Sequence, residues 1–163
     1  MQVLIVEDEP LIRMCIRDVL EEAGFLCAEA ADAAQAAALL DGGGPPPDLL
    51  GSDYNLGPGP DGMAVAAAAV RRLPGLPVLF VTGNPECFAG RSPLPQEGLL
   101  AKPFSTDALL AAVDSLIPPG RRGGQAAAGI ARDRNGVAGP WPGLLARGSA
   151  ACGARSSLNA APL

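Results

Sequence analysis

The chain has 163 residues, 48% of them hydrophobic, with a mean hydropathy of +0.24, enough for one folded domain with a real core and too little for two of comfortable size. The net charge of −5 is unevenly spread: residues 1–117 hold 16 acidic against 6 basic side chains, whereas residues 118–163 hold six arginines against Asp133. No apolar run approaches the roughly 20 residues that span a bilayer, and the absence of histidine removes imidazole as base, nucleophile or phosphocarrier.

Taken in chain order, residues 2–7 (QVLIVE) form an apolar run ending in acid, the pattern of a buried parallel strand. Pro10 suits a helix first turn, Leu11, Ile12, Cys15, Ile16, Val19 and Leu20 recur at helical spacing, and Gly24 closes the segment. Residues 25–30 predict a second strand and Ala33 to Leu40 an Ala-rich helix that ends at the GGGPPP run. The third strand is expected over Asp48 to Asp53, with Gly51 against it on propensity. A turn-rich loop (YNLGPGPD) leads to a helix over Gly62 to Leu73, where Arg71 and Arg72 complement the helix dipole. Residues 77–82 (PVLFVT) are the clearest strand, and 83–98 are Pro-broken, predicting a short or irregular helix. A fifth strand over 99–102 (LLAK) precedes a helix over 106–117, N-capped by Ser105.

Five strands alternating with helices predict an α/β fold, a parallel sheet covered on both faces with right-handed crossovers. Such sheets bind ligands at the carboxyl ends of their strands. Glu7 and Asp8, Asp53, Thr82 and Lys102 all fall at strand ends and converge on one rim. Three neighbouring carboxylates repel one another unless a cation sits among them. Magnesium fits, because it takes one or two carboxylates and keeps waters and phosphate oxygens. Asp53 is then a carboxylate nucleophile able to form an acyl phosphate, with Lys102 a fixed positive charge and Thr82 a neutral donor. Each residue also has a blander reading: Glu7 and Asp8 as a solvated strand end, Asp53 as a turn-initiating aspartate, Thr82 as a β-branched strand residue, Lys102 as an exposed charge.

VLIVEDEP, Asp53 in SDYNL, the later PDG, FVTGN and AKPF stand in the order and close to the spacing of the response-regulator receiver family, which residues 2–117 resemble. The resemblance implies a flavodoxin-like, doubly wound five-stranded sheet of order 2-1-3-4-5. It implies Asp53 as phosphoacceptor, and Mg2+ held by Glu7, Asp8, Asp53 and the Asn55 backbone carbonyl. Thr82 and Lys102 would be the phosphate-responsive pair, and Pro103 would follow a cis peptide. The implied partners are a sensor histidine kinase or phosphotransfer protein upstream and a protein target downstream, reached through the face of the fourth helix, fifth strand and fifth helix. A homodimer is left open, and the chain is read as a phosphoacceptor in a phosphorelay rather than an enzyme.

Three residues or segments depart from the family pattern. Glu7 replaces the usual aspartate, the loop after Asp53 is about one residue longer, and Leu99 stands where the family's switch aromatic would be. The FVTGN and AKPF pair is similar to a subgroup of receivers without that aromatic. The same departures support the alternative, a degenerate receiver acting as a constitutive binding module. A haloacid-dehalogenase-type phosphohydrolase would need a second Asp two residues after the nucleophile, and Asn55 stands there.

MQVLIVEDEP carries acids where an export signal has a basic region, and Cys15, Cys27, Cys87 and Cys152 show no C-x-x-C spacing, so a cytoplasmic protein with reduced thiols is expected, Cys15 and Cys27 in its core. Residues 118–163 have no sustained periodicity and a Gly/Ala/Pro/Arg composition that predicts a disordered tail, and no recognition helix for sequence-specific DNA binding.

Overall fold

The fold was analysed in a computed structural model, which describes residues 1–90 and 96–117. The expected disordered tail, and part of the expected fourth helix, lie outside those residues.

The elements run β1 (Gln2–Val6), α1 (Pro10–Glu22), β2 (Leu26–Ala30), α2 (Ala33–Asp41), β3 (Leu49–Asp53), α3 (Gly62–Arg72), β4 (Val78–Thr82), a 3-10 turn (Pro85–Phe88), β5 (Glu97–Ala101) and α4 (Thr106–Leu116). All strand pairs are parallel, in the order β2-β1-β3-β4-β5. Period-two alternation along each strand divides the core between the two faces. Leu4, Val6, Leu50, Val78 and Phe80 pack with α2 and α3, whereas Val3, Ile5, Leu49, Leu79 and Val81 pack with α1 and α4. Burial on both faces explains why β1 and β4 read as unbroken apolar runs.

Helix ends follow local chemistry. Asp32, Asp61 and Ser105 cap α2, α3 and α4 by accepting from the backbone amides of Gln35, Ala64 and Ala108. Pro10 opens α1, whose cap residue Glu9 makes no side-chain bond. Arg72 at the end of α3 does more than offset a dipole: it grips Asp41 of α2 with Nε and Nη2, at 2.8 and 3.1 Å.

Two expectations need correction. Cys15 is exposed rather than in the core, because the buried stripe of α1 runs through Ile12, Ile16, Val19 and Leu20 and leaves Cys15 and Leu11 on its shoulder. The fifth strand begins at Glu97, two residues before the apolar LLA. It is an edge strand, where a polar start is tolerated, and its ladder opens with Val78 opposite Glu97. Lys102 therefore follows the strand, its amide donating to the Thr82 carbonyl at 2.7 Å.

Candidate functional site

β3 and β4 end on Asp53 and Thr82, while Glu7 and Lys102 come directly after β1 and β5, so the parallel register carries all four to one rim. Lys102 Nζ lies 2.7 Å from Glu7 Oε2 and 2.8 Å from Asp53 Oδ2, bridging two buried carboxylates. Asp8, one residue beyond Glu7, is exposed, yet carboxylate oxygens of Glu7, Asp8 and Asp53 all lie within 4.8 Å of one another. Asp53 Oδ1 accepts from the Asn55 amide at 3.3 Å, so Asp53 also makes the local turn contact of its blander reading. Asn55 thus reaches the cluster through its N–H.

Thr82 is fully buried, and its hydroxyl accepts from the Asn84 amide at 3.1 Å. It lies on the rim, but its hydrogen-bond partner is the following loop, not the carboxylates. The Lys102–Pro103 peptide is cis, as expected. Leu99 on β5 is 45% exposed.

Electrostatics at the cluster are opposed. Burial pushes the Glu7 carboxyl up from its ordinary value, against the hydrogen bond from Lys102, and the Asp53 charge adds to the rise. Burial alone would lower Lys102, but its bonds to Asp53 and Glu7 outweigh that, so the ammonium is held charged. The two directions conflict for a single ion pair. A cationic Lys102 is the firmer conclusion, because two short carboxylate contacts converge on it, whereas Glu7 keeps a second oxygen, Oε1, buried with no hydrogen-bond partner among the described residues. A buried carboxylate oxygen left unpaired is costly.

That orphaned oxygen, the exposed Asp8 and the neighbouring Asp53 make a donor set of hard oxygens. One oxygen from each of three carboxylates, all within 4.8 Å of one another, matches the hard-oxygen preference of a small dication. The residues fit a small divalent cation.

Two positioning features were not read from the sequence. Gly62 opens α3 so close to β3 that an added Cβ would lie 1.9 Å from the Asp53 carbonyl oxygen, and its amide donates to the Tyr54 carbonyl at 2.9 Å. The PDG triplet therefore has a packing reason: Asp61 caps the helix and Gly62 lets it approach. Arg13, on the first turns of α1, sends Nη1 to the carbonyl oxygen of Glu7 and, at 3.4 Å, to that of Asp8. No spacing rule links an arginine to carbonyls five and six residues upstream, so only the fold reveals it.

A family model described as "Response regulator receiver domain" matches residues 3–114. The C4-dicarboxylate transport transcriptional regulatory protein DctD of Pseudomonas aeruginosa is 34% identical over 121 residues, 69% of this chain and 24% of that protein. The DNA-binding transcriptional regulator NtrC of Escherichia coli K12 is 32% identical over 117 residues, 71% of this chain and 24% of that one. This chain thus spans about a quarter of the length of these curated relatives. Among solved structures, the receiver domain of the PhyR response regulator of Erythrobacter litoralis superposes with a TM-score of 0.63 at 31% identity, over 71% of this chain and 88% of that one. The five-stranded sheet, the rim cluster and these matches agree: the chain belongs to the response-regulator receiver domain family.

Proposed function

We propose that Asp53 accepts a phosphoryl group in a magnesium-dependent two-component phosphorelay, with a sensor histidine kinase or phosphotransfer protein as donor. The observation that carries this reading is the bridging of Glu7 and Asp53 by Lys102, with Asp8 alongside, at the rim where parallel sheets present their chemistry. Glu7, Asp8, Asp53 and the Asn55 carbonyl would hold Mg2+, which when bound neutralises charge on the transferring phosphoryl group.

The remaining work falls to the chain's own side chains. An Asp53 carboxylate oxygen attacks phosphorus, and the donor's phosphorus–nitrogen bond breaks with its electron pair leaving on the imidazole. The product on this chain is an acyl phosphate. Asp53 is only 8% exposed, which limits water's access to the product. Lys102 stays charged and moves from the carboxylate to a phosphoryl oxygen, and the Thr82 hydroxyl, released from the Asn84 amide, donates to another. A shift between two populations then presents a changed surface to a downstream protein in the cytoplasm. The chain is read as the phosphoacceptor, not as an enzyme with turnover on a separate substrate.

Incubation with acetyl phosphate and Mg2+, followed by intact mass, tests this. Wild type should gain the mass of one phosphoryl group, while Asp53→Asn and wild type in excess chelator should gain none. An unchanged wild-type mass, under conditions that label a control receiver, would leave a constitutive binding module as the reading.

A further inference from the structure

The acids of the site sit on a short connection between β1 and α1, and what fixes that connection is not itself an acid. Upstream, the Glu7 amide donates to the Ala30 carbonyl of β2 at 3.1 Å. Downstream, Arg13 Nη1 takes the Glu7 carbonyl and makes a weaker, 3.4 Å contact with the Asp8 carbonyl. Arg13 is in turn anchored: its Nε lies 3.5 Å from Glu29 Oε2, and Arg17 holds the other Glu29 oxygen at 3.1 Å. The Arg13 side chain is only 18% exposed, and its planar fork offers several donors at fixed angles where a lysine offers a single rotating point. Glu29 is the penultimate residue of β2, opposite Ile5 of β1, so the brace ties the acid-bearing turn to the sheet.

We propose that Arg13 is a positioning residue for the cation site: braced by Glu29, it holds the main chain of Glu7 and Asp8 so that both carboxylates face Asp53. This rests on the reading of the rim as a divalent-cation site. It differs from a simpler role, in which Arg13 merely offsets the negative charge of the acids. The two roles predict opposite signs. If Arg13 only balances charge, its removal strengthens the field that attracts a dication, and affinity rises. If it positions, its removal loosens the acids and affinity falls, as with other groups that orient metal ligands.

Mg2+ binding to the full chain, measured by calorimetry and by amide chemical shifts around Asp53, decides between them. Arg13→Met keeps most of the aliphatic stem and should raise the Mg2+ Kd about tenfold. Arg13→Lys should fall between, because it retains the charge but not the fork. Glu29→Gln, which leaves Arg13 in place and removes its anchor, should weaken binding in the same direction by less. An Arg13→Met Kd within twofold of wild type, or tighter, overturns the proposal, and if that variant does not fold, an unchanged Glu29→Gln Kd does so. Wild type that binds no Mg2+ overturns the cation site as well, which keeps the two failures apart.

Discussion

Glu7 is where this chain differs most instructively from its family. Its extra methylene lets one oxygen reach Lys102 at 2.7 Å while the other stays buried and unpaired among the described residues. Because burial raises its folded pKa above the ordinary value of 4.5, the native state binds more protons than the unfolded chain once pH passes that value, so stability falls as pH rises through the window. The stabilising contribution is present below pH 4.5 and lost above the raised pKa. Glu7→Gln keeps an acceptor for Lys102 and removes the buried charge. It should raise the thermal midpoint at neutral pH, and the advantage should vanish as pH falls towards 4.5, measured by melts across that range. A midpoint lowered at neutral pH would mean the Glu7–Lys102 pair outweighs the cost of burial. At this scale the residue types that meet can be read from spacing, but not how they pair. Glu7, Asp53 and Lys102 were legible from their places at strand ends, whereas the Asn84 partner of Thr82 depends on loop conformation.

Between residues and molecule lie the elements, and β3 is the weakest of them on paper. Gly51 sits at its centre, opposite Ile5 of β1 and Leu79 of β4. The sheet overrides its poor propensity, since both neighbouring strands are strongly apolar. The missing side chain leaves a void of about 10 Å³, walled mostly by apolar groups including Ile5, Ile16, Val81 and Leu109. A Cβ built on Gly51 would have the Leu4 carbonyl as its nearest neighbour, at 4.0 Å. Gly51→Ala should therefore stabilise the fold by about 1 kcal/mol, from reduced backbone freedom in the unfolded chain and from filling space. A urea melt checks it, and a loss of stability would show that the strand has no slack there. Gly98 of β5 is the opposite case, with Leu116 at 3.0 Å and Leu79 at 3.2 Å from its would-be Cβ, so that glycine admits α4. Apolar periodicity located every α-helix and strand among the described residues to within two residues. It misplaced Cys15 because spacing alone does not say how wide a buried stripe is, and it started β5 late because an edge strand need not begin with apolar residues.

Seen whole, the described residues form one two-sided core, and Cys27 of β2 reports on it. Burial, with smaller contributions from Glu21 and Glu29, pushes its thiol up to about 12 from an ordinary 9.0. A folded pKa raised in this way contributes stability that is present below pH 9.0 and lost as pH rises towards about 12. Iodoacetamide at mild alkaline pH should accordingly modify the exposed Cys15 and Cys87 and spare Cys27 until urea unfolds the chain, as read by peptide mass mapping. Labelling of Cys27 at the same rate as the others would mean that β2 opens locally. One consequence of the tight seating of α3 reaches across the molecule. With no room for even a methyl group between Gly62 and the Asp53 carbonyl, the Asp53 main chain is clamped against that helix like work in a vice. A rearrangement that follows a change at its carboxylate is therefore expected at the β4 end and at the 3-10 turn, whose Phe88 sits T-shaped against Tyr54, the residue after Asp53.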